Sequence, residues 1–290
     1  MSGQPRRACD ELPPGPGGGD RERPGAGCDN VPVASTDYLL EVLAHEGKLL
    51  GEAARLAGPA AEVPSCPGWR VGDLVRHLGG THRWATGFVA GGLRQFVPPQ
   101  EHTVSDEELA DWFAAGLDGL LAALKAAPAD LECWTVLPST ASGRDFWIRR
   151  QAHETAIHRI DAQAAAGQEI TRVDAEFAED GIDELLVGFH GRPKSRVRRE
   201  RPGVLRFRAS DRPGAAWTLA VSAEAPRAAR APQDANGPAA GEGLGEADCE
   251  ISGPAAELYP ALWNRPHDRT RIEVRGEREL AELWATASAV

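Results

Sequence analysis

Apolar residues recur at helical spacing in four separate stretches of the first 166 residues. In the first, Leu39, Leu40, Leu43, Leu49 and Leu50 form a stripe, and Ser35, Thr36 and Asp37 ahead of it are all good N-caps, so a helix is expected over about 35–57. The second, about 71–89, turns Leu74, Val75, Leu78, Trp84 and Phe88 inward. The third starts at Ser105-Asp-Glu-Glu, a capping-box pattern with Glu108 at its fourth position. It carries Leu109, Trp112, Phe113, Leu117, Leu120, Leu121 and Leu124 and stops at Pro128. The fourth, 146–166, carries Trp147, Ala152, Ile157 and Ile160 and closes at Gly167, a natural residue just past a helix end. Four amphipathic helices with one longer connection, between the second and third, predict a four-helix bundle.

A further helix is expected over about 174–189, and then the period changes. Val204-Leu-Arg-Phe-Arg-Ala and Ala216-Trp-Thr-Leu-Ala-Val-Ser alternate with period two and read as strands. Cys249-Glu-Ile-Ser and Thr270-Arg-Ile-Glu-Val-Arg-Gly are shorter strand candidates. Helices are expected from Pro254, well placed in a first turn, to Trp263, and over 277–287. Residues 226–247, rich in Ala, Pro and Gly, predict a mobile loop. Residues 1–34 hold too few large apolar side chains to offset their ordering entropy and predict a disordered leader. The expected fold class is a two-domain α+β protein, with a bundle over 35–190 and a small α+β domain over 200–290.

The stretch Phe146-Trp-Ile-Arg-Arg-Gln-Ala-His-Glu-Thr-Ala-Ile-His-Arg-Ile-Asp161 holds the densest chemistry. Glu154 and His158 are four residues apart and share a helical face. A carboxylate and an imidazole turned into a bundle need partners, and a divalent cation would meet that need. His77, in the second helix, could supply a third ligand. Two imidazoles and a carboxylate suit a catalytic zinc with an open position, and also iron, nickel or manganese. The plain alternatives are an i,i+4 Glu154–His158 pair, neutralisation of Glu154 by Arg150, and a satisfied core histidine at 77. Asp161 could fix the tautomer of His158 from behind, or form a surface ion pair. His82 and His153 are each five residues from a candidate ligand and face elsewhere; His45 is a weaker candidate, and His102, His190 and His267 fall in loops or at helix ends. Cys66, between two prolines, reads as a structural cysteine.

Composition narrows the classes. A net charge of -11 argues against nonspecific nucleic-acid binding. Five scattered cysteines without a C-x-x-C point to a reducing cytoplasm and away from a thiolate zinc site. No apolar run reaches membrane length, no Gly-x-Gly-x-x-Gly or P-loop supports nucleotide binding, and there is no Gly-x-Ser-x-Gly elbow. Eight Trp stand against two Tyr.

Val63-Pro-Ser-Cys-Pro-Gly-Trp-Arg-Val-Gly-Asp-Leu-Val-Arg-His-Leu-Gly-Gly80, with His82-Arg-Trp-Ala after it, resembles the N-terminal motif of the mycothiol-dependent maleylpyruvate isomerase family. The 146–162 stretch looks like the second motif of that family. Ser252-Gly-Pro-Ala-Ala-Glu-Leu-Tyr-Pro-Ala-Leu-Trp-Asn-Arg265 is similar to the start of its last helix, and the likeness spans about 35–290. It implies a DinB-like four-helix metal-binding bundle and a sterol-carrier-like α/β domain. It also implies zinc held by His77, Glu154 and His158, and an arginine that holds substrate, matched here by Arg265. The glycine usual before that arginine is Asn264 in this chain. The implied chemistry is a metal-bound thiolate of mycothiol attacking an electrophile, either isomerising maleylpyruvate or transferring sulfur. The other class is a non-catalytic metal- or ligand-binding protein on the same fold. The expected partners are a small electrophile and a low-molecular-weight thiol, with no nucleic acid or membrane. The protein is expected to be a monomer or weak homo-oligomer in an actinobacterial cytoplasm.

Overall fold

The structure, a computed structural model, describes residues 34–139, 141–231 and 246–289. The expected leader lies outside these residues except for Ala34, as does most of the expected 226–247 loop. The chain divides into two compact units, Ala34–Thr171 and the residues from Arg172 onward.

The first unit holds α1 (Thr36–Ala57), α2 (Val71–Gly91), α3 (Leu109–Ala126) and α4 (Gly143–Ala165). Ser35 caps α1 by accepting from the Tyr38 N–H, and Leu39, Leu43 and Leu50 are buried along one face. Ser142 caps α4 through the Asp145 N–H, so this helix starts three residues earlier than its apolar pattern suggests. The exchange between Ser105 and Glu108 is present at 2.7 Å, but a turn follows it and regular helix begins at Leu109. α1 packs along α4 and α2 along α3, while α2 also meets α4. A buried Glu46–Arg159 pair at 2.6 Å joins α1 to the back of α4. Trp84, Trp134 and Trp147 pack with Phe88 and Phe96, which gives three of the eight tryptophans a common core role.

The second unit begins with α5 (Ala175–Asp183), which continues as a π-helical segment, Glu184–His190. Then come β1 (Gly203–Ala209), β2 (Ala216–Val221), β3 (Arg227–Arg230), β4 (Cys249–Gly253), α6 (Ala255–Leu262), a 3-10 turn (Arg269–Arg271), β5 (Glu273–Gly276) and α7 (Arg278–Ala287). The sheet order is β3-β2-β1-β4-β5, with β1 and β4 parallel and the other pairs antiparallel. Along β1, Leu205 and Phe207 are buried and the residues between them are less so, the period-two pattern of a sheet with one covered face. The Trp217 indole donates to Asp183 at 2.9 Å, tying β2 to α5.

Several local readings differ. β3 occupies part of the expected loop: Arg227 and Arg230 carry no apolar alternation, and pairing with β2 sets this strand. The expected 270–276 strand is split between the 3-10 turn and β5. His190, expected at a solvated helix end, is buried instead. Its Nε2 lies 3.1 Å from the Ser288 carbonyl and its Nδ1 3.0 Å from the Ser195 hydroxyl. Among the described residues no helix is long and apolar enough to cross a membrane.

Candidate metal centre

Three segments of the first unit build the site. α2 supplies His77, α4 supplies Glu154 and His158 one turn apart, and the connector before α2 supplies Trp69. The connector is held tight by backbone hydrogen bonds: Cys66 N to Val63 O, Trp69 N to Cys66 O and Val63 N to Trp69 O, each 3.0 Å. Gly68 takes φ +86°, a conformation that favours glycine and permits this reversal.

The donor atoms of His77, Glu154 and His158 all lie within 4.8 Å of one another. Glu154 Oε1 sits 3.4 Å from His77 Nε2 and 3.4 Å from His158 Nε2. The two imidazoles meet edge to face at 5.2 Å. The Trp69 ring packs beside them, 5.0 Å from His77 and 6.5 Å from His158. Two imidazole nitrogens and a carboxylate oxygen facing a common point are the donor set of a three-ligand divalent site, so these residues fit such a cation.

Two further contacts qualify the trio. Glu154 Oε2 accepts from Arg150 at 2.7 Å, so the neutralising arginine considered above is present, while Oε1 still faces both histidines. Burial would raise the Glu154 carboxyl, but Arg150 and the two histidines outweigh it and hold it well below the usual carboxylate range. Asp161 Oδ2 lies 2.9 Å from His158 Nδ1, and Asp161 is fully buried, so it is not part of a surface ion pair. Burial would lower the His158 imidazole, yet the Asp161 and Glu154 carboxylates push it up to about 9.

The other histidines stand apart from the trio. His82 is fully buried, its Nε2 2.9 Å from the Thr155 hydroxyl, and burial drives its pKa down to about 3. His153 is also fully buried. His102 lies in the segment after α2, against Trp112 at 5.3 Å. His77 and His102 both line a cavity of about 510 Å³, together with Trp69, Asp73, Arg76 and Thr81. Arg76 also donates to the Val104 carbonyl and pairs with Asp106. Periodicity alone did not single out this segment, which has no regular structure.

Arg265 belongs to the second unit, in the turn after α6. Its N–H donates to the Pro260 carbonyl at 2.9 Å and its guanidinium to the Trp263 carbonyl at 2.8 Å. Asn264 before it has φ +57°, the left-handed conformation that asparagine tolerates better than other side-chain-bearing residues. The asparagine thus adopts a backbone shape that a glycine would also give.

A helical unit with a His–Glu–His trio, followed by a mixed sheet flanked by helices, defines a two-domain α+β protein with a candidate metal centre. Residues 40–163 match the mycothiol maleylpyruvate isomerase N-terminal domain, and residues 176–283 match the MDMPI C-terminal domain. The chain belongs to the mycothiol-dependent maleylpyruvate isomerase family. The fold is similar to a crystal structure of the mycothiol-dependent maleylpyruvate isomerase, with TM-score 0.56 and 14% identity over 84% of this chain and 95% of that one. A histidine-to-alanine mutant of that isomerase aligns with TM-score 0.55 and 13% identity over the same shares. At these identities the likeness is one of fold. None of the curated proteins matches the chain.

Proposed function

We propose that this protein is a metal- and mycothiol-dependent isomerase or thiol S-transferase acting on a small electrophile. The observation that carries the reading is the convergence of His77, Glu154 and His158 within 4.8 Å in a chain of this family. A divalent cation, zinc first among the choices, would supply the Lewis acidity that keeps a bound thiol ionised at neutral pH.

The residues of the chain do the rest. His77 and His158 would offer ring nitrogens to the cation, which would displace the proton that the Asp161 and Glu154 carboxylates otherwise favour on His158, and Glu154 brings a negative charge that offsets it. Asp161 keeps the His158 proton on Nδ1 and leaves Nε2 as the donor. Arg150 orients Glu154 through Oε2. Trp69, 4% exposed, walls the trio off from water on one side, while the cavity of about 510 Å³ beside His77 leaves room for a ligand. Arg265 is proposed to hold a substrate carboxylate in its planar fork.

In the isomerisation, the thiol sulfur bonds to one carbon of the cis double bond and the π electrons move onto the conjugated carbonyl oxygen. Rotation about the resulting single bond follows, and expulsion of the same sulfur restores the double bond as trans. With a halide or similar leaving group, the same attack ends in a thioether and the expelled anion. The protein is proposed to work in the cytoplasm as a monomer or weak homo-oligomer.

The test is turnover of maleylpyruvate and of chlorodinitrobenzene by zinc-loaded protein, each with and without mycothiol. Turnover that needs both metal and thiol is expected, and the preferred electrophile decides between isomerase and transferase. A second reading, a non-catalytic metal- or ligand-binding protein, is favoured by one observation, the Arg150–Glu154 pair at 2.7 Å. No turnover from protein that takes up no metal would support its ligand-binding form.

A further inference from the structure

The connector Pro64-Ser-Cys-Pro67 reaches the candidate metal centre from behind. Asp161 is fully buried, and three donors converge on its carboxylate. The His158 Nδ1–H donates to Oδ2 at 2.9 Å. The Ser65 hydroxyl makes a short hydrogen bond to Oδ1. The Cys66 thiol lies 3.6 Å from Oδ2, within reach of a weak S–H donor. Ser65 and Cys66 lie 96 and 95 positions from Asp161 along the chain, so only the packing of the connector on α4 creates these contacts. Cys66 is fully buried in the same core cluster as Trp69, Leu74 and Leu78, and Ser65 is half-buried.

A buried carboxylate without donors is costly and swings to find them. Here two donors come from one short turn that is itself fixed by hydrogen bonds, so the carboxylate has one orientation. A carboxylate so held can only accept, which keeps a proton on His158 Nδ1 and turns Nε2 to His77 and Glu154. We infer that the Ser65-Cys66 turn is a positioning element of the trio: Ser65 and Cys66 clamp Asp161, and Asp161 sets the ring orientation and donor atom of His158. The clamp rests on the reading of the trio as metal ligands for its functional meaning, but its geometry stands without it.

The test compares zinc affinity, by chelator competition, in Ser65→Ala, Cys66→Val and the double variant. The variants Ser65→Thr and Cys66→Ser keep a donor and serve as rescues. The double variant should lose zinc affinity by about 10- to 100-fold, the usual effect of disturbing a ligand's outer partner, and the rescues should stay near wild type. In an Asp161→Asn background, Ser65→Ala should cost little more, because the residue it acts through is already altered. Thermal melts of the metal-free proteins separate this effect from loss of fold. Unchanged affinity in a folded double variant would overturn the clamp, and so would an equal loss from Ser65→Ala with or without Asp161. Wild-type protein that takes up no zinc would remove the metal reading. The clamp is then decided by proton NMR of the His158 Nδ1–H, which should shift in the double variant; an unmoved signal rejects it.

Discussion

His158 and Asp161, three residues apart on α4, form a 2.9 Å hydrogen bond in which a fully buried carboxylate holds the Nδ1 proton of the imidazole. The opposite nitrogen of the ring is thereby turned to Glu154 and His77. Replacing Asp161 by Asn substitutes a neutral amide for the carboxylate acceptor. Zinc affinity should fall by about 10- to 100-fold, measured against a competing chelator, with the helical circular dichroism retained.

His77→Ala removes the one donor that α2 contributes to the trio. Metal content after purification without a histidine tag should fall to near zero. His77 is partly exposed, so the fold should survive. Unchanged metal stoichiometry in this variant would show that the ligands lie elsewhere.

Arg150→Met tests the competing partner of Glu154. Its guanidinium is nearly buried, and its loss leaves Glu154 without its main counter-charge, at a cost of about 2 kcal/mol in the metal-free protein. A bound cation replaces that charge. The stabilisation gained on adding zinc, read from thermal melts, should therefore be larger in Arg150→Met than in wild type.

His190 supplies a pH signature in the second unit. Burial lowers its pKa from 6.5 to about 4, against the opposing hydrogen bond to the Ser288 carbonyl and with smaller lowering effects from Arg192 and Arg196. The unfolded chain therefore binds this proton before the folded one does. The sign follows: the contribution of His190 is intact above pH 6.5 and is lost as the pH falls towards 4. Between pH 7 and pH 5 the loss is about 2 kcal/mol. Urea unfolding at the two pH values should show this loss in wild type and less of it in His190→Gln.

Asn264 tests the turn that carries Arg265. With φ at +57°, Asn264→Gly should be neutral or slightly stabilising, while Asn264→Ala should cost about 1 kcal/mol by denaturant unfolding.

Much of the first unit was legible because its helices follow one rule. Leu39, Leu43 and Leu50, or Leu74 and Leu78, are buried where a 3.6-residue period puts them. Glu154 and His158 were legible for the same reason, since i,i+4 spacing fixes a shared face, and the family motif joined His77 to them. Contacts between distant segments were not legible. Ser65 and Cys66 show no local sign that they meet Asp161, and β3 is set by pairing with β2 more than by its own side chains. His190 misled because its helical segment runs on into π-helical turns that carry it into the core against Trp284. The Arg150 pair could be foreseen as an alternative, but not that Glu154 would use one oxygen for Arg150 and turn the other to the two histidines.

The position of Trp69 has an experimental consequence. Its indole centroid is 5.0 Å from one candidate ligand ring and 6.5 Å from another. The protein therefore carries an optical gauge beside its candidate metal centre. Subtracting the emission of a Trp69→Phe variant isolates that one ring from the other seven tryptophans. What arrives at the trio, cation or thiol, can then be followed by light alone, with no label and no substrate.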